Sequence, residues 1–195
     1  MLLTKNENKV IDLLLRNFYE SLTIREISRR TNTTPMGARK ILNKLKSNDI
    51  LTSRRIGTGV FYRMNLQNKM ALKISELVLS QCRINPFAKV YAEYLEVFKD
   101  STNGCILFGS ILAKGEKARD VDVMLLLEKE QFRKTEKLCS ELSKSKSKEI
   151  HFILQTKEDF IKNLREKNST VLGILRTGTV LWGESNIVEA ISNVI

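Results

Sequence analysis

The sequence predicts an α+β chain of two domains: a small N-terminal one of three helices closed by a β-hairpin, and a larger α/β one. Three observations carry that expectation. The apolar period is helical between residues 10 and 45, gives way to two short β-prone runs across Gly57-Thr58-Gly59, and later alternates between strand-like runs and amphipathic stretches. A chain of 195 residues suits two domains at the usual size of roughly 100 to 150 residues each. Charge is unequally shared, since residues 1–65 hold thirteen Lys and Arg against five Asp and Glu, a net +8 of the total +11. The boundaries expected from these signals are 1–66, a linker helix over 67–86, and 87–195.

The first helix is expected over residues 5–18, where Val10, Ile11, Leu13, Leu14 and Leu15 are set among Asn8, Lys9, Asp12 and Arg16. Thr23, with Glu26 three places on, caps the second, which turns its Ile24 and Ile27 inward and ends at Thr31-Asn32-Thr33. Thr34-Pro35 opens the third, because proline at a first helical position sacrifices no intrahelical bond. Its Ala38, Ile41, Leu42 and Leu45 form an inner face, leaving Arg39, Lys40, Asn43, Lys44 and Lys46 outside. Residues 51–55 and 60–64 then make a hairpin that carries Arg54, Arg55 and Arg63.

This order of helix, turn, basic helix and hairpin over residues 22–65 resembles the winged helix-turn-helix of bacterial and archaeal transcription regulators. The resemblance implies contact with double-stranded DNA. Thr33, Thr34, Met36, Arg39 and Lys40 are best placed for base edges, and Lys44, Arg54, Arg55 and Arg63 for phosphates.

Two further helices are expected over residues 68–83 and 86–99, separated at Asn85-Pro86. The first serves either as a linker or as a homodimer contact, since operators are often read by symmetric pairs. Beyond them, the apolar strand 105–108 runs into Gly109-Ser110, and Asp120-Val121-Asp122 opens the apolar strand 123–127. Alternation along a strand puts Asp120 and Asp122 on one face, where two carboxylates can hold a divalent metal, while a Gly-Ser turn offers N–H groups and a hydroxyl to a phosphate.

Phe108-Gly109-Ser110, then Ala113-Lys114-Gly115-Glu116, then Asp120-x-Asp122, is similar to the signature of the nucleotidyltransferase superfamily in its minimal form, over residues 88–183. The resemblance implies a mixed sheet flanked by helices. It places Gly109 and Ser110 at the phosphates of ATP or another nucleoside triphosphate, assigns magnesium to Asp120 and Asp122, and gives Lys114 a share of the phosphate charge. Members of that superfamily generally add a third carboxylate from a later strand. Here the strand over residues 149–154 carries His151 at that place, with Glu149 on the same face as a substitute and Glu158 and Asp159 beyond it. A neutral imidazole accepts a proton but binds magnesium poorly. Helices over residues 130–142 and from Lys157, a strand over 179–182 with Trp182 in the core, and a short helix over 185–195 complete the expectation.

Composition excludes several alternatives. No apolar run reaches the ~20 residues of a membrane span, and the N-terminus lacks the apolar stretch of a signal peptide, so a cytoplasmic protein is expected. Cys82, Cys105 and Cys139 form no CxxC pair and read as small core residues. A single histidine excludes a His-rich metal site. Two functions remain open. One is a DNA-binding transcriptional regulator whose second domain binds nucleotide and magnesium. The other is an active nucleotidyltransferase that moves a nucleoside monophosphate from ATP to a protein or small-molecule hydroxyl, with the winged helix for recruitment. Minimal members of the superfamily resemble antitoxins that modify a helical HEPN toxin, which adds a helical protein partner to the second case.

Overall fold

The structure, a computed structural model, describes residues 3–81 and 84–195. It is α+β and divides into two compact units between Leu79 and Ser80.

The first unit is built from α1 (Lys5–Arg16), β1 (Leu22–Thr23), α2 (Ile24–Thr31), α3 (Pro35–Ser47), β2 (Leu51–Ile56), β3 (Gly59–Met64) and α4 (Lys69–Leu79). Capping boxes start both α1 and α2: Thr4 and Glu7 exchange side-chain and backbone bonds in one, Thr23 and Glu26 in the other. Val10, Ile11, Leu14 and Leu15 of α1 are buried with Ile27 of α2 and Ala38, Leu42 and Leu45 of α3. Each large side chain so buried contributes about 1.5–3 kcal/mol of transfer free energy. Ile41, expected inside, is only half-buried.

Asn32 takes left-handed backbone (φ 53°) to end α2, and Thr34 caps α3 through Gly37 N–H at 3.0 Å. The hairpin turn is two residues long, Gly57-Thr58, because Ile56 pairs directly with Gly59. Gly57 supplies the positive φ of 58° that such a turn needs. The sheet order is β1-β3-β2, with Leu22 and Thr23 pairing antiparallel with Tyr62 and Phe61. That two-residue strand was not expected. The helix expected over residues 68–83 is seen as α4 and packs on α1; Cys82 and Arg83 lie outside the described residues.

The second unit contains α5 (Pro86–Leu95), β4 (Gly104–Phe108), α6 (Ser110–Lys114), β5 (Asp120–Leu127), α7 (Phe132–Lys144), β6 (Glu149–Thr156), α8 (Lys157–Arg165), α9 (Ser169–Thr177), β7 (Thr179–Trp182) and α10 (Glu184–Ser192). Its sheet has the order β6-β5-β4-β7 and is mixed: β5 and β6 run parallel, the other neighbours antiparallel. On one face Val121, Val123, Leu125 and Leu127 join Tyr91, Leu95, Phe98 and Cys139 in the core. On the other, α8, α9 and α10 pack against β5 and β4. Helix α9 was not foreseen. Trp182 is part-buried against the core rather than enclosed in it, and its indole N–H reaches Thr102 Oγ1 at 3.1 Å. Cys105 and Cys139 are buried thiols, as expected.

Candidate functional site

Two surfaces gather the residues that the sequence singled out. The first is the outer arc of α3 with the hairpin. Met36 is 64% exposed, and Arg39 and Lys40 lie beside it on the same exposed arc. Neither Arg39 nor Lys40 makes a hydrogen bond or ion pair with another described residue. The two threonines are more committed. Thr33 Oγ1 sits 2.9 Å from Thr31 Oγ1, and Thr34 Oγ1 accepts the capping bond from Gly37.

The arginines of the hairpin divide between its faces. Thr52 pairs with Arg63 and Arg54 with Phe61, so Arg54 and Arg63 share a face, while Arg55, opposite Val60, projects from the other. Arg54, Arg63, Phe61, Ile56, Thr52 and Ser21 line a cleft of about 290 Å³, in which Arg63 donates to Ser21 Oγ at 3.0 Å. Lys44 differs from the other cations. Its ammonium lies 2.7 Å from Oε1 of Glu7, whose side chain is only 3% exposed. Burial alone would raise the Glu7 pKa, but hydrogen bonds from Lys44 and Thr4 outweigh it and hold the carboxyl below its ordinary value. Neither the Thr4–Glu7 capping box nor this link to α3 was read from the sequence.

The second surface is the start of β5. Asp120 and Asp122 alternate with buried Val121 and Val123, so both carboxylates lie on the face opposite those valines. The parallel register pairs Asp120 with Glu149 and Asp122 with His151, bringing all four groups to one end of one sheet face. His151 Nδ1 is 3.6 Å from Asp122 Oδ1, and its Nε2 is 3.5 Å from Glu149 Oε1. Antiparallel pairing of Phe108 with Asp122 brings Gly109 alongside. A Cβ at Gly109 would fall 1.9 Å from Asp122 Oδ2, and the backbone there has φ +80°, so contact and conformation both require glycine.

Ser110 Oγ faces Asp120 Oδ1 at 3.4 Å. Lys114 closes α6 exposed and bonds to neither carboxylate, and Glu158 and Asp159 lie exposed at the start of α8. A contributor missed in the sequence is Lys148, at the end of the Ser/Lys run that closes α7 and leads into β6. Its ammonium donates to the carbonyls of Glu116 (2.8 Å) and Ala118 (2.6 Å), pinning the segment that leads into Asp120.

Burial raises the Asp122 pKa, and the neighbouring charge of Asp120 raises it further, against the opposing pull of His151. A divalent cation would relieve that repulsion. Among the described residues no group of three or more His, Cys, Asp or Glu side chains is placed to hold a metal ion. Two carboxylates could hold a cation whose shell is completed by phosphate oxygens and water, as magnesium's often is.

No family model matches the chain, and no curated protein matches it. Solved structures do. A cysteine-to-serine point mutant of ZitR from Lactococcus lactis is 15% identical, with 73% of this chain and 75% of that one covered and a TM-score of 0.35. MepR, a transcription regulator of a Staphylococcus aureus multidrug efflux pump, is 11% identical over 74% and 81%, with a TM-score of 0.36. The adhesin competence repressor AdcR of Streptococcus pyogenes is 16% identical over 50% and 64%, with a TM-score of 0.33. No helix among the described residues is long and apolar enough to cross a membrane.

Proposed function

We propose that the chain is a DNA-binding transcriptional regulator that reads duplex DNA with α3 and the hairpin. The observation that carries this reading is the pair Arg39 and Lys40, exposed beside Met36 on the outer arc of α3 and without a partner among the described residues. A helix of that diameter fills the major groove, where a guanidinium can bond two acceptors of a guanine edge. Arg54, Arg55 and Arg63 supply the sequence-independent phosphate attraction. In a selection from a random duplex pool, the reading expects the full chain to enrich one motif and Arg39→Ala to lose that motif. Enrichment of no motif by the intact protein contradicts sequence readout.

The second unit, on this reading, binds a nucleoside triphosphate with magnesium at Gly109, Ser110, Asp120 and Asp122. Magnesium would supply charge neutralisation of the phosphates. Asp120 and Asp122 would hold it, the Ser110 hydroxyl would donate to a phosphate oxygen, and Gly109 would let the chain pass against Asp122.

One observation favours a second reading, transfer of a nucleoside monophosphate to a hydroxyl. His151 stands between two carboxylates, each a little beyond a good hydrogen-bond distance, with one ring nitrogen turned to each. As a neutral imidazole it could accept the proton of an attacking hydroxyl, the role that a third carboxylate plays elsewhere. Incubation with magnesium and α-labelled ATP separates the readings. Label on a protein or small molecule that disappears in Asp120→Asn/Asp122→Asn supports transfer, and binding without transfer supports the regulator.

A further inference from the structure

We infer that Glu7 is an internal competitor for DNA phosphate at Lys44, and so limits how tightly the helix-turn-helix unit grips the backbone. The inference rests on the DNA reading above. Met36, Lys40 and Lys44 follow one another at four-residue spacing along α3, so Lys44 continues the line of the exposed arc towards the helix end. Its side chain is half exposed, within reach of a backbone phosphate, yet its ammonium already contacts the buried Glu7 carboxylate at 2.7 Å.

Glu7 is held in place from two sides. Oε2 accepts the Thr4 N–H at 2.7 Å as the return arm of the capping box, leaving Oε1 for Lys44. With the carboxylate fixed by a helix cap and nearly enclosed, it does not swing away when a second anion arrives. A phosphate approaching Lys44 therefore meets a cation whose charge is already offset and a carboxylate that repels it. Lys40 and Arg39 have no acidic partner among the described residues, whereas Lys44 has one. The same clasp ties the start of α1 to the end of α3, which explains why a surface cation is engaged inside the unit.

The test is the salt dependence of duplex binding by the full chain. Glu7→Gln keeps the capping box, because a glutamine carbonyl also accepts the Thr4 N–H, but removes the charge. The expected result is several-fold tighter binding at low salt, with the slope of log K against log salt steeper by about 0.9, the value of one added phosphate contact. That steepening should vanish when Lys44→Met is added. An unchanged slope in Glu7→Gln, or equal steepening with and without Lys44, overturns the inference, provided that melting shows both variants folded. A wild-type chain whose binding ignores salt overturns the DNA reading itself, and this inference with it. A salt-dependent wild type matched by Glu7→Gln overturns this inference alone.

Discussion

The outer arc of α3 and the open end of β5 are both polar surfaces set on apolar elements, but they are assembled by different routes. On α3, every candidate residue lies within thirteen positions of the chain, and helical geometry alone sorts Arg39 and Lys40 outward from Ala38, Leu42 and Leu45. At β5, the groups come from β4, β5 and β6 and meet only through strand pairing, Phe108 with Asp122 and Asp122 with His151. The charges differ in the same way. Arg39 and Lys40 of α3 are exposed, whereas Asp122 is part-buried beside Asp120 and has a raised pKa as a result. One surface is sorted by a single helix; the other is brought together by three strands, with Asp120 close enough for its charge to raise the pKa of Asp122.

The largest effect expected from breaking this contrast is at β5. If the unit transfers nucleotides, Asp120→Asn/Asp122→Asn should cost several kcal/mol of barrier, on the order of 100-fold or more in turnover, measured as label transferred per minute. DNA affinity measured on the same preparation should stay within twofold, on the order of the changes that surface substitutions far from an interface produce. Next is α3: Arg39→Ala should weaken binding to the preferred duplex by about 1–3 kcal/mol, roughly fivefold at the lower end of that range, while binding to unrelated duplex falls less. Competition titrations with both duplexes give the two numbers.

An effect of the same order, on stability rather than binding, is expected from Gly109→Ala, where φ +80° and the 1.9 Å approach to Asp122 force the strand end to shift. The expected loss is about 1–3 kcal/mol, read as a lower denaturant midpoint. The smallest is the pH response of Asp122. Its folded-state pKa is raised, so the native chain binds its proton more tightly than the unfolded chain and loses stability as pH climbs from the ordinary Asp value, about 3.9, through the raised one. Asp122→Asn should therefore melt higher than wild type at neutral pH without metal, with the gap closing as pH is lowered to about 4. A gap that widens on acidification contradicts the assigned cause.

The same contrast governs what could be read from the sequence. The helices of the first unit were legible because caps, proline and a 3.6-residue period are local signals, and Thr23, Pro35 and the Ala38-Leu42-Leu45 face stand as expected. Strand β1 was not, because two residues carry no period of their own and Leu22-Thr23 become a strand only by pairing with Phe61 and Tyr62. In the second unit the alternation of Asp120 and Asp122 was visible, and so was His151 where a carboxylate was sought. What could not be read was anything set by distance in sequence: Lys148 pinning the approach to Asp120, or Glu7 of α1 taking Lys44 of α3. Charge count alone marks a lysine as a cation without telling whether the fold has already answered it.

The measurement that tests the central claim most directly is the affinity of the full chain for labelled duplex DNA across a series of NaCl concentrations. Three phosphate contacts from Arg54, Arg55 and Arg63 predict a log–log slope of about −2.7, shallower by about 0.9 for each arginine replaced by alanine. A slope near zero, or one indifferent to those arginines, would contradict the assignment of α3 and the hairpin as a DNA-reading surface.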